Sequence, residues 1–107
     1  AWAALCKQHQ FFPETLRIVA GGATRFQSVL RGLETIDAPD DALVAVHDGV
    51  RPFVSPALIA RGFAEAERSG SAVACVPAKD SVRILQTDGR SAALDRATVR
   101  LVQTPQT

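Results

Sequence analysis

Four apolar residues, Leu43-Val44-Ala45-Val46, run straight into His47-Asp48-Gly49, and an arginine and a proline, Arg51-Pro52, follow at once. No other stretch constrains the fold as much. A short apolar run closed by turn chemistry suits a strand covered on both faces. In open parallel sheets, ligands sit just beyond the carboxyl ends of such strands. Asp48 and Arg51 are therefore the first candidates for function.

The flanking segments extend this strand into a pattern. Residues 16–20 read as a short β-branched strand that ends at Gly21-Gly22, where glycine permits a tight turn and close approach to a ligand. From Thr24, a possible N-cap, the period changes to helical, with Phe26, Val29, Leu30, Leu33 and Ile36 on one face. A polar break at 37–41 precedes the strand at 43–47. Ser55-Pro56 then opens a second helix, capped by the serine and preset by the proline, with Leu58, Ile59, Phe63 and Ala66 facing inward. That helix ends by Gly70, and residues 72–76 read as another buried strand, closed by Pro77. Two successive strand, helix, strand units predict a parallel α/β sheet.

The two ends of the chain differ in style. Trp2, Leu5 and His9 fall at helical spacing across residues 1–10, and Pro13 is expected to stop that helix. Beyond Pro77, residues 81–85 and 91–94 flank Thr87-Asp88-Gly89-Arg90, which predicts an antiparallel hairpin turning near Asp88-Gly89. Such an arm adds little to its own core and gains by packing on another surface, so a dimer contact is expected there. A last strand is expected over 99–103, ending at Thr104-Pro105-Gln106.

Composition sets limits on partners. The chain has 107 residues, enough for one core, with 47% hydrophobic and 21% charged residues and a net charge of +1. That balance gives no general attraction to nucleic acid or to an acidic membrane, so any anion site has to be local. Cys6 and Cys75 lack metal-ligand spacing and suit a reduced, cytoplasmic protein, Cys75 as a small hydrophobe inside an apolar run. No stretch reaches the length of a membrane span, and the start has no signal-peptide pattern. Because Ala1 falls inside a helical pattern, the natural amino terminus is expected to lie upstream.

Two motifs carry chemistry. Gly21-Gly22 through Ser28 places small residues and a helix start after a strand, which can hold a nucleotide or phosphate, or can be only a turn. His47-Asp48-Gly49-Val50-Arg51-Pro52 places an acid and a base in one loop. The carboxylate can take a magnesium ion associated with phosphates, and the arginine can grip a phosphate with two parallel hydrogen bonds. Equally, Asp48 and Arg51 can pair to brace the turn. Lys79-Asp80-Ser81, Asp95-Arg96 and Thr104-Pro105-Gln106 also fall near strand ends. No serine or cysteine elbow accompanies His47, and there is no Walker lysine motif, paired-cysteine zinc motif or aromatic-rich basic patch.

Taken together, Gly21-Gly22-Ala23-Thr24-Arg25-Phe26-Gln27-Ser28-Val29, the loop 46–52, Lys79-Asp80-Ser81 and Thr104-Pro105-Gln106 resemble the 2-C-methyl-D-erythritol 4-phosphate cytidylyltransferases of the non-mevalonate isoprenoid pathway. The resemblance implies a Rossmann-like α/β nucleotidyltransferase sheet with flanking helices and a β-hairpin dimerisation arm. Residues 1–107 would be the central part of one such domain, with the arm at 79–96. It implies transfer of cytidine monophosphate from CTP to methylerythritol phosphate by a magnesium-assisted homodimer. Carried over by position, Gly22 and Ser28 would contact the cytidine, with Gly22 reading the base through its backbone. Asp48 would lie beside the ribose, phosphates and metal, and Gly49 would touch the nucleotide through its backbone. Arg51, Ser81 and Thr104 would hold the sugar-alcohol phosphate, and Arg96 would reach into the partner subunit's site.

The chain departs from that family in two ways. Ser81 stands where threonine is frequent, and Gly49-Val50 where two alanines are frequent. The amino-terminal glycine-rich loop with its arginine and lysine, and a later lysine, are not among these residues. The 107 residues alone are therefore expected to be inactive, since those cations stabilise charge on the transferred and leaving phosphates. Two alternatives remain: a ribitol 5-phosphate cytidylyltransferase with the same histidine-aspartate and arginine-proline pattern, and a non-catalytic nucleotide-binding dimer module.

Overall fold

The computed structural model describes residues 2–12 and 15–107, so the predicted stop at Pro13 lies outside the described residues. The chain divides into two compact units, Ala1–Ala38 and Pro39–Thr107.

In the first unit, helix α1 spans Trp2–Gln8 and helix α2 spans Arg25–Leu33. The α1 turn closes early, because Gln10 takes the left-handed conformation (φ 52°) and Phe11 N–H donates back to Cys6 O at 2.9 Å. That return sets the Phe11 ring edge-on to Trp2, with centroids 6.4 Å apart. Helix α2 starts where the sequence predicts. Thr24 Oγ1 accepts from Gln27 N–H at 3.2 Å, and Gln27 Oε1 reaches back to Thr24 N–H at 3.3 Å, a reciprocal capping box. Loss of such a cap costs about 1 kcal/mol. The helix stops at Leu33, so Ile36 lies beyond the face predicted for it.

Residues 16–20, read as a strand, pair with no strand among the described residues. Their neighbourhood is held by guanidinium groups instead. Arg31 Nη1 donates to Gly21 O at 2.7 Å, and Arg17 Nη1 donates to Thr35 O at 2.7 Å. A side-chain donor thus takes the carbonyls at the carboxyl end of the segment, where a sheet would offer backbone amides, while near its other end Arg17 donates outward to the α2 side.

The second unit contains helix α3 (Pro56–Ser69), strands β1 (Val73–Pro77), β2 (Val82–Leu85) and β3 (Ser91–Leu94), a 3-10 turn at Arg96–Thr98, and strand β4 (Arg100–Gln106). Local chemistry sets the ends of α3 as predicted. Ser55 Oγ accepts from Leu58 N–H at 3.2 Å, Pro56 opens the first turn, and Gly70 (φ 89°) closes the last in the left-handed region that glycine enters without strain. The hairpin also forms as predicted: β2 and β3 pair antiparallel from Val82↔Leu94 to Leu85↔Ser91, with Gly89 at φ 81° in the turn.

The remaining strand pairing differs from expectation. β1 pairs antiparallel with β4, not parallel, and 43–47 makes only an isolated antiparallel bridge, Val46↔Gln106. That bridge is a mutual pair of hydrogen bonds, 2.8 and 3.0 Å. β4 also runs through Thr104-Pro105-Gln106 and does not stop before it, because the Gln106 N–H and C=O both find partners at Val46. The β1 strand is largely exposed, Cys75 included, where a buried strand was expected. It has one strand neighbour only, so one edge is without a ladder among the described residues. Ala66 of α3 and Pro105 are the buried apolar residues and Thr104 the buried polar one among the described residues.

Near the end of α3, Arg68 and Ser69 hydrogen-bond the Glu65 carboxylate and hold its pKa below the ordinary 4.5, the arginine being the larger cause. Sign follows from linkage: the stabilisation is present above the ordinary value and is lost as pH falls through the folded value. We predict that Arg68→Ala returns the Glu65 titration, followed by carboxyl NMR shifts, towards the ordinary value. An unchanged midpoint would show that Arg68 is not the cause.

Candidate active site

A register shift in the β1/β4 ladder builds the site. Val73 faces Gln106 and Cys75 faces Val102, so Ala74 alone lies opposite Gln103, Thr104 and Pro105. Bulges of this kind bend a strand and re-aim side chains. Here the bulge, which includes a cis Thr104–Pro105 peptide, turns two polar side chains towards the loop after Val46. Thr104 Oγ1 accepts from Asp48 N–H at 3.1 Å, and Gln103 Oε1 accepts from Arg51 Nη1 at 2.5 Å.

Within the loop, Arg51 Nε donates to Asp48 Oδ2 at 3.1 Å, and Arg51 N–H donates to Asp48 O at 3.0 Å. His47 Nε2 lies 2.9 Å from Arg51 O. Since a carbonyl only accepts, Nε2 carries the proton in that contact, and the imidazole serves the turn. The ion pair is partly exposed, with 46% of the Arg51 side chain and 33% of the Asp48 side chain accessible. Exposed pairs of this kind contribute about 0–1 kcal/mol, too little for bracing alone to make the arrangement valuable.

The structure thus brings Asp48, Arg51 and Thr104 together. Gln103 belongs with them and was missed, although a proline inside a strand pattern is itself a signal of a bulge. Gly49 lies exposed in the same loop. Arg96 and Ser81 belong to the foot of the hairpin: Arg96 Nη1 donates to Lys79 O at 3.0 Å, and Ser81 is exposed immediately before β2.

In the first unit, Gly22 and Ser28 are in direct contact. Gly22 N–H donates to Ser28 Oγ at 2.9 Å, and Ser28 Oγ donates to Thr24 O at 3.1 Å. A Cβ on Gly22 would overlap Gln27 Cβ, so this close approach requires glycine.

No group of three or more His, Cys, Asp or Glu is placed to hold a metal among the described residues. Magnesium does not require one. It keeps waters and takes phosphate oxygens around one or two carboxylates, a role that Asp48 fits. A concavity of about 610 Å³ between α3 and β1 is lined by Leu58, Arg61, Glu65, Arg68 and Cys75 among others and reaches Pro105, but none of Asp48, Arg51, Gln103 or Thr104. Its charged side chains, Arg61, Glu65 and Arg68, all stand on α3, where Arg68 is already paired with Glu65, so the loop 48–51 is kept as the candidate site.

The family described as IspD, 2-C-methyl-D-erythritol 4-phosphate cytidylyltransferase, matches residues 4–107. The chain is similar to the protein of that name from Porphyromonas gingivalis, with 48% identity over 106 residues, which is 99% of this chain and 46% of the relative. Among solved structures it resembles the enzyme of the same name from Thermus thermophilus, with TM-score 0.68 and 40% identity, covering 88% of this chain and 49% of that one. A 4-diphosphocytidyl-2C-methyl-D-erythritol synthase from Anaerococcus prevotii aligns with TM-score 0.84 and 30% identity, covering 98% and 48%. The chain spans about half the length of the relatives it matches. The α/β, Rossmann-like nucleotidyltransferase fold follows from these neighbours, with the antiparallel β1/β4 ladder as part of it. A family match across almost the whole chain, joined to identities of 30–48%, means that this chain belongs to the 2-C-methyl-D-erythritol 4-phosphate cytidylyltransferase family.

Proposed function

We propose that this chain, within a protein of its relatives' length, transfers cytidine monophosphate from CTP to 2-C-methyl-D-erythritol 4-phosphate in isoprenoid precursor synthesis. A phosphate oxygen of the acceptor attacks the α-phosphate of CTP in line, a new phosphorus–oxygen bond forms, and the bond to diphosphate breaks. The observation that carries this reading is the junction of Asp48, Arg51 and Thr104, a carboxylate, a half-exposed guanidinium and a hydroxyl on one bulged strand and one loop.

Each group has a distinct task. Gly22 and Ser28 contact the cytidine, and the Gly49 backbone approaches the nucleotide. Asp48 would hold magnesium, which would supply positive charge to offset the phosphates. Arg51, Ser81 and Thr104 hold the acceptor phosphate, Arg51 through its planar fork. Arg96 acts from the partner subunit of a homodimer formed through the 79–96 arm. Exposed Ile84 and Leu85 on β2 supply the arm with apolar surface that a second copy would cover. The unpaired thiols Cys6 and Cys75 suit a reducing, cytoplasmic location. No helix among the described residues is long and apolar enough to cross a membrane.

The test is diphosphate release with CTP and either methylerythritol 4-phosphate or ribitol 5-phosphate, using a protein of the relatives' length. Turnover with the first and little with the second is expected; the reverse would move the chain to the ribitol reading. The isolated 107 residues are expected to release no diphosphate. Turnover near that of the longer protein would overturn the assignment of essential cations to segments outside them.

A further inference from the structure

We propose that Gln103 is a positioning residue that keeps Arg51 aimed at the acceptor phosphate once Asp48 is engaged by nucleotide and metal. The proposal rests on the functional reading above and adds a residue to it. The Arg51 guanidinium is held at two points, Nε by Asp48 Oδ2 and Nη1 by Gln103 Oε1. Its Nη2 is without a partner among the described residues, and the side chain is 46% accessible, so N–H groups remain for an incoming phosphate.

The two holds are chemically unequal. Asp48 is an anion, and while it faces Arg51 it offsets the charge that a phosphate would meet. Were the same carboxylate to hold a metal ion beside the triphosphate, its bond to Nε would weaken and the guanidinium would lose one anchor. Gln103 is neutral. Its amide oxygen orients the guanidinium and leaves the full positive charge for the phosphate, which a carboxylate at this position would not do.

Backbone structure makes Gln103 a firm support. It lies in the β4 bulge, its own carbonyl accepts from Gln106 Nε2 at 3.2 Å, and Gln106 is pinned to Val46 by the mutual bridge that leads into the same loop. Arg51 and Gln103 are 52 residues apart in sequence, so the contact exists only because that bridge sets the strand beside the loop.

Steady-state kinetics on a protein of the relatives' length test the proposal, with Gln103→Ala, Gln103→Glu and Arg51→Lys. Both Gln103 variants are expected to raise KM for the sugar phosphate about tenfold, the usual consequence of disturbing a hydrogen bond to a charged group, with KM for CTP within about twofold. Gln103→Glu keeps the shape and the acceptor oxygen, so a raised acceptor KM in that variant reports charge and not misfolding. An unchanged acceptor KM in both variants, or equal rises in both KM values, overturns the role of Gln103. If Arg51→Lys raises the acceptor KM while the Gln103 variants do not, only the positioning role fails. If Arg51→Lys leaves it unchanged, the assignment of Arg51 to the acceptor fails together with that role.

Discussion

Asp48→Asn, in a protein of the relatives' length, is expected to lower turnover roughly a hundred- to a thousandfold while leaving the melting temperature nearly unchanged. The asymmetry comes from what the substitution keeps. Asparagine retains an oxygen that can accept from Arg51 Nε, and its backbone N–H still donates to Thr104 Oγ1, so the loop keeps its shape. What it loses is the negative charge that a divalent cation needs. The partly exposed ion pair contributes at most about 1 kcal/mol, so its removal should scarcely register in an unfolding experiment. Diphosphate release measured beside a thermal melt separates the two readings of this carboxylate. Unchanged turnover with reduced stability would make Asp48 a brace and would favour a non-catalytic nucleotide-binding module.

Gly22→Ala should be the most damaging small substitution in the first unit, destabilising it by about 1–3 kcal/mol through overpacking. The new Cβ would overlap Gln27 Cβ and lie 3.1 Å from the Gln27 backbone carbonyl carbon, and backbone cannot move aside as a flexible side-chain tip can. Gln27 is also half of the capping box, so its displacement threatens the start of α2 as well. Gly32→Ala is the control. It lies within α2 with nothing inside 4 Å of its Cβ position, and alanine there should stabilise the helix by about 0.5–1 kcal/mol. Denaturant melts of the two variants should move in opposite directions. A Gly22→Ala protein as stable as its parent would mean that the Gly22 turn relaxes freely, which would remove the packing reason for glycine there.

Local chemistry is legible in the sequence. Thr24 before Arg25, Ser55 before Pro56, Gly70 after Ser69 and Asp88-Gly89 between alternating strands are decisions taken within a few residues. Each appears in the structure as a cap, a helix end or a hairpin turn. The loop 47–52 is legible for a related reason, since an acid and an arginine three residues apart can meet within one turn.

Gln103 is not legible in this way. Its partner is Arg51, and no spacing rule links positions so far apart. The same limit explains the pairing errors. Apolar, β-branched runs at 16–20, 43–47 and 72–76 say that a strand is favourable, but its neighbour is chosen by whichever backbone edge lies alongside. Here Arg31 takes the Gly21 carbonyl, Val46 meets Gln106, and β1 lies antiparallel to β4.

By itself, then, the sequence determined the helices and their caps, the hairpin, the glycine turn against α2 and the acid–arginine loop, because short-range sterics and hydrogen bonds decide them. The tertiary structure alone decided that β4 continues through Thr104-Pro105-Gln106 and bulges opposite Ala74. It also decided that this bulge carries Thr104 to Asp48 and Gln103 to Arg51. Those contacts depend on strand register, which arises from the pairing of distant backbone groups and leaves no periodicity in the chain for a reader to find.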